Sequence, residues 1–203
     1  MAHLVVIFGP PASGKAAVGH ALAAATGYRF FHNHLTADPA AALFGWGSER
    51  FERTVDAMRD LLFREAAADP TIPGVIFTFV WAFDLPADTA LMAHVSDLFR
   101  AAGGAVSFVE LRAGLAARLA REGTPFRLGL KPALRDAAAA RLRQVEMDAK
   151  YRMNSDGTLP LDAPHLILDT EQMEPAEAAA RICSAFGLGD GVARAPTERP
   201  MTA

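Results

Sequence analysis

Between Gly9 and Lys15 the chain reads Gly9-Pro10-Pro11-Ala12-Ser13-Gly14-Lys15. Glycines at the first and sixth positions let the backbone turn tightly and approach an anion with no Cβ in the way. Successive amides then point inward as a nest, and a helix beginning near Lys15 adds the positive end of its dipole. Lys15 brings an ammonium to the β- and γ-phosphates of a nucleotide. The segment follows a strand-like run and opens a helix-like one, the setting that a Walker A phosphate loop requires. One position departs from that pattern. The motif closes on Ser or Thr, whose hydroxyl ligates Mg²⁺, whereas here Ala16 stands there and Ala17 follows. A methyl cannot coordinate a metal, so Mg²⁺ must be held by nucleotide phosphates, water and other side chains, or be bound weakly. Ser13 lies inside the loop and does not take over that role by default.

Other chemistry-bearing residues fall at the ends of strand-like runs. Phe30-Phe31-His32-Asn33-His34 presents two imidazoles flanking an amide. Histidine accepts a proton near neutral pH, and Asn33 can orient a phosphate or a water. His-x-His is also a transition-metal pair, but no third ligand is evident, and a capping or packing histidine is the bland alternative. Asp84 follows the third strand in Trp81-Ala82-Phe83-Asp84. In a doubly wound sheet that end faces the ligand crevice, which makes Asp84 the best carboxylate for metal or substrate, with no acidic residue ending the first or third strand. Trp81 and Phe83 offer an apolar wall for a substrate, with core packing the expected fate of one of them.

The elements that must position these residues alternate. Leu4–Phe8 is continuously apolar and suits a central parallel strand. Ala16–Ala25, Glu49–Ala68, Ala87–Ala102, Ala113–Arg121 and Pro175–Phe186 read as helices, and a further helix begins near Pro132. Along Glu49–Ala68 the apolar stripe is Phe51, Val55, Met58 and Leu62; along the helix after Pro132 it is Leu134, Ala138, Leu142, Val145 and Ala149. Tyr28–Phe31, Val75–Val80, Ala105–Leu111 and His165–Leu168 read as further strands. Strands alternating with helices imply an α/β fold, a three-layer α/β/α sandwich around a parallel, five-stranded sheet joined by right-handed crossovers. Residues 1–188 form one domain in this reading, and 189–203 a polar, aperiodic, disordered tail.

Composition excludes several classes. The 203 residues are 51% hydrophobic and 21% charged, which is enough apolar material for a core. A net charge of −3 disfavours a nucleic-acid binder, which needs a basic excess. One cysteine, Cys183, excludes an intramolecular disulfide framework and a Cys-rich zinc site. Gly74–Phe83 is too short to cross a bilayer, which takes roughly 20 residues, and Met1–Leu4 carries no basic region of a secretion signal. The expectation is a cytoplasmic protein that binds a nucleotide and a small-molecule acceptor, without nucleic-acid or membrane partners. Nothing in the linear pattern decides the oligomeric state.

With the Gly9–Lys15 loop in its strand–helix setting, the chain resembles the small P-loop kinases of the nucleoside-monophosphate-kinase type, the group of shikimate kinase, gluconate kinase and chloramphenicol phosphotransferase. A looser likeness extends over most of the chain. The resemblance implies an ATP-dependent transfer of the γ-phosphoryl to a hydroxyl of a small molecule. It implies a substrate-binding lobe at 34–68 and an Arg-bearing lid at 121–131 that closes over the phosphates. Arg118 and Arg121 are the lid candidates, one near the adenine and one at the phosphates, followed by Arg127 and Lys131. Asp169-Thr170 resembles the adenine-side loop. In shikimate kinases two acidic residues separated by one serve the metal and the acceptor hydroxyl; His32 and His34 stand in their place, which keeps a base and loses a hard-metal ligand. One of Arg50, Arg53 and Arg59, with Arg53 chosen, would hold an anionic group of the acceptor. The alternative is a nucleotide-binding regulatory or sensor protein with little catalysis, motivated by Ala16, the missing carboxylate and the His-x-His replacement.

Overall fold

The computed structural model describes residues 1–122 and 137–189. In chain order the elements are β1 (His3–Phe8), α1 (Lys15–Thr26), β2 (Arg29–His32), α2 (His34–Phe44), α3 (Glu49–Ala68), β3 (Gly74–Phe79), α4 (Pro86–Ala101), β4 (Val106–Arg112), α5 (Leu115–Ala120), α6 (Ala137–Lys150), β5 (His165–Asp169) and α7 (Pro175–Phe186). The five strands form one sheet in the order β2-β3-β1-β4-β5, and every neighbouring pair is parallel.

Strand periodicity decides which residues face which layer, because successive side chains point to opposite faces. Along β1, Leu4, Val6 and Phe8 enter one core with Phe63 of α3 and Met92, Val95 and Phe99 of α4. Val5 and Ile7 enter the other, with Val18 and Leu22 of α1 and Ala178, Ala179 and Ile182 of α7. Helices therefore cover both faces, and β1 is buried on both. That burial explains its unbroken apolar run.

Three expectations about helices need correction. Residues 34–44 form a helix of their own, α2, which neither apolar periodicity nor Pro39 in its interior suggests. Proline removes an amide from the ladder, and the helix is held instead by burial of Ala37 and Ala40 against Val55 and Phe51 of α3. Along α3 the buried stripe is Val55, Arg59, Phe63 and Ala67, while Leu62 is exposed. Along α6 the buried residues are Ala140 and Gln144, and Leu142 and Val145 face outward. In both stripes a buried polar side chain with a hydrogen-bond partner takes the inner position: Arg59 bonds Asn33, and Gln144 bonds Glu122. Among the described residues no helix is long and apolar enough to cross a membrane.

Candidate active site

Because all five strands run in parallel, their carboxyl ends share one side of the sheet, and the loops that leave them converge there. The loop after β1 is the phosphate-loop segment. Gly9 adopts φ +142°, and a Cβ there would lie 2.3 Å from the Leu111 carbonyl oxygen of β4. Only glycine fits that close approach. Ala12 adopts φ +61°, and Gly14, at φ +96°, caps α1. Amides and the amino end of a twelve-residue helix thus meet in one turn, an arrangement suited to an anion. The Lys15 amine donates to the carbonyls of Gly9 at 2.8 Å and Pro10 at 2.7 Å, so it lies over the loop it closes. Pro11, Ala16 and Ala17 complete the segment at half-buried positions.

The far edge of the loop is tied to the turn after β5. Thr170 is buried; its hydroxyl donates to the Ser13 carbonyl at 2.7 Å. Asp169 stays exposed and accepts from the Glu171 amide at 2.9 Å. Arg121, at the end of α5, donates to the carbonyls of Thr170 at 2.6 Å, Glu171 at 3.3 Å and Ala12 at 3.2 Å. The structure therefore brings Arg121, Asp169 and Thr170 to the phosphate loop. Arg118 goes elsewhere: it is buried, donates to the Ala113 carbonyl, and pairs with Asp148 of α6 at 2.5 Å. Helix periodicity gave Arg118 and Arg121 one face, but the ion pair with α6 turns the first inward. Arg127, Lys131 and most of the 121–131 segment, with residues 190–203, lie outside the described residues.

β2 ends at His32, two strands away from β1, so its side chains stand roughly 10 Å to the side of the phosphate loop by ordinary strand spacing. His34 opens α2, and its Nδ1 lies 2.7 Å from Asp38 Oδ1 one turn along. The His32 and His34 rings are 6.5 Å apart. Trp46, largely exposed, meets the His34 ring edge-on at 6.0 Å. Asn33 accepts a hydrogen bond from Arg59. Arg59 also lies 3.5 Å from Asp56 and stacks over the Phe79 ring at the end of β3, 5.6 Å from its centroid. Burial lowers the Arg59 pKa, against the charges of Asp56 and Asp88, which raise it. Burial likewise pushes the Asp88 carboxyl up, opposed by the Ala82 amide and by Arg59.

Three substrate-side expectations are relocated. Arg53 is exposed, and Arg59 is the arginine that the lobe buries. Trp81 is fully buried, gives its indole N–H to Thr89 and stacks on Phe83 at 4.7 Å, so it belongs to the core and presents no surface to an acceptor. Asp84 is half-exposed; it accepts from the Arg152 amide and lies 3.8 Å from that guanidinium, which ties it to the loop before β5. Asp38 and Asp88 stand outside every sequence motif, and Arg59, one of three candidate arginines, takes the place expected of Arg53. Arg59 left a trace: a cation at the i+4 position of an otherwise apolar stripe, Val55, Arg59, Phe63 and Ala67. Asp38 had only the i, i+4 spacing to His34.

The loop lacks the hydroxyl that the motif offers to Mg²⁺. Ala16 and Ala17 offer no oxygen, and among the described residues no group of three or more His, Cys, Asp or Glu side chains could hold a metal.

No family model matches the sequence, and no curated protein does. Solved structures match over nearly the whole chain. A provisionally named kinase from Chloroflexus aurantiacus is 20% identical, covering 93% of this chain and 97% of that one, with a TM-score of 0.58. The tunicamycin resistance protein of Deinococcus radiodurans is 18% identical over 93% and 97%, with a TM-score of 0.54. Shikimate kinase from Acinetobacter baumannii, solved with shikimate, is 17% identical over 92% and 93%, with a TM-score of 0.51. With the five-stranded parallel sheet and the loop after its central strand, these likenesses show that the chain shares the α/β/α fold of these solved structures.

Proposed function

We propose that the protein is an ATP-dependent phosphotransferase acting on a hydroxyl of a small molecule. The observation that carries this reading is the Gly9–Lys15 loop at the carboxyl end of β1, with Lys15 over it and Arg121 bound to its backbone. Preorganised amides and cations stabilise charge on a transferring phosphoryl group without reorganising at the moment of reaction. The kinase neighbours, one of them solved with shikimate, support a small hydroxyl-bearing acceptor. The acceptor enters between the phosphate loop and the end of β2, where Asn33, His34 and Arg59 meet. Arg59 supplies positive charge toward an acidic group of the acceptor. His34 takes the hydroxyl proton, with His32 beside it. Mg²⁺ arrives with ATP and is held by phosphates and water.

The test is transfer of γ-labelled phosphate from ATP to a panel of sugars, polyols and hydroxy acids. Label appears in an acceptor with the native chain and is lost in Lys15→Ala. Label confined to inorganic phosphate across the panel contradicts a phosphotransferase. A second reading, a nucleotide-binding regulatory protein with little catalysis, is favoured by one observation: the methyl of Ala16 where the motif has a metal-binding hydroxyl. Ala16→Ser separates the two. A gain of metal affinity together with transfer marks a weakened active site, and a gain of metal affinity alone marks a binder.

A further inference from the structure

We propose that Asp38 is a positioning residue that fixes the tautomer of His34, so that the pair works as a His–Asp proton acceptor in place of a single carboxylate. This rests on the phosphotransferase reading for its reaction, but its geometry stands independently. His34 is the first residue of α2 and Asp38 is one turn on, so both side chains lie on one face of the helix. The Nδ1 to Oδ1 distance is 2.7 Å, and the His34 side chain is 17% exposed. A carboxylate at that distance accepts a hydrogen bond from Nδ1–H, which keeps the proton on that nitrogen. The lone pair of the neutral ring is thereby placed on Nε2. Trp46 meets the same ring at 6.0 Å and restricts its tilt. Among the described residues, Asp38 from its own helix and His32 from β2 face the imidazole. From α3, Arg59 acts one residue away through Asn33.

The dyad supplies a balanced step. The acceptor O–H bond breaks and its proton goes to Nε2 of His34. The oxygen pair forms a bond to the γ-phosphorus of ATP. The bond from that phosphorus to the β–γ bridging oxygen breaks, and its pair leaves on ADP. Asp38 remains ionised and stabilises the imidazolium, which later returns its proton to water. Such a base needs no metal bound by the protein, which agrees with Ala16.

The experiment is imidazole nitrogen NMR of the full chain across neutral pH, with His34 assigned by its loss in His34→Asn. The expected result is the Nδ1–H tautomer in the native chain. In Asp38→Ala the population moves toward Nε2–H and the titration midpoint falls, because the carboxylate that favours the imidazolium is gone. Asp38→Glu restores part of both. A native His34 in the Nε2–H form, or an Asp38→Ala spectrum with unchanged tautomer and midpoint, overturns the proposal. The functional arm uses water as acceptor: phosphate release from ATP falls about 10²-fold in kcat in Asp38→Ala, with KM for ATP unchanged. A loss carried by KM instead overturns the positioning role. The spectra need no nucleotide, so failure of ATP to bind would reject the phosphotransferase reading while leaving the tautomer result to stand or fall alone.

Discussion

Arg121 donates to the carbonyl of Ala12, 109 residues earlier in the chain, at 3.2 Å. The same guanidinium reaches the Thr170 carbonyl at 2.6 Å, so one side chain clasps the phosphate loop to the turn after β5. Hydrogen bonds from a charged donor are worth about 1.5–3 kcal/mol each. Arg121→Ala is expected to lower stability by about 2 kcal/mol and to weaken ATP binding at least about tenfold. Arg121→Lys, with a point charge in place of a planar fork, recovers only part of each. Urea unfolding and calorimetric titration measure both effects.

Gly9 tests whether the loop geometry is obligatory. A methyl there would meet the Leu111 carbonyl oxygen at 2.3 Å, with the backbone held at φ +142°. Gly9→Ala must shift β4 or reshape the loop. The expected cost is about 3 kcal/mol in stability, with loss of ATP binding. Gly27→Ala is the control. It is also a left-handed glycine, but its added Cβ meets nothing within 4 Å, so it strains the backbone without a collision.

Removing the Arg59 charge takes away the hydrogen bond to the Asn33 side-chain oxygen and the cation that opposes the rise of the Asp88 pKa. Arg59→Met keeps the length and apolar contact with Phe79. It is expected to destabilise the chain by about 3 kcal/mol, the size seen when one partner of a buried charged group is removed. Combining it with Asp88→Asn is expected to recover part of that loss, since the uncompensated carboxylate is then gone. Thermal unfolding of the single and double variants measures the coupling.

Glu110 sets the acid limit of stability. It is fully buried on β4. Burial raises its pKa, but hydrogen bonds from His165, Ser155 and Arg112 overcome that and hold it at about 2. Its folded pKa lies below the unfolded value of 4.5, so the stabilisation is fully present above that value and is lost as pH falls through about 2. The difference corresponds to about 3 kcal/mol. Glu110→Gln is expected to flatten the dependence of unfolding free energy on pH across that window. An unchanged acid limb in the variant contradicts this assignment.

Local spacing made the phosphate loop and the strand–helix alternation legible, because both are written in consecutive residues. The Gly9 and Gly14 positions follow from backbone conformation alone, and β1 follows from an unbroken apolar run. The substrate side was less legible because its residues are chosen by tertiary contacts. Arg53 and Arg59 look alike in sequence, and only the packing of α3 against α2 and β3 buries the second. Trp81 and Phe83 differ by two residues. Burial against Phe8 and a bond to Thr89 place Trp81 in the core. Arg118 and Arg121 share a helix face by spacing, yet Asp148, thirty residues on, pairs with the first and turns it inward. α2 was hidden because Pro39 argues against a helix that its contacts with α3 maintain.

The central claim is that main-chain amides around Gly9–Gly14, aided by the Lys15 amine, hold a nucleotide polyphosphate. Calorimetric titration of the full chain with ATP, alongside Lys15→Ala, tests it most directly. The account predicts saturable binding at one site, weakened about 10²-fold or more in the variant, whose unfolding midpoint stays close to the native one. Absence of binding to the native chain, or equal affinity in Lys15→Ala, would contradict it.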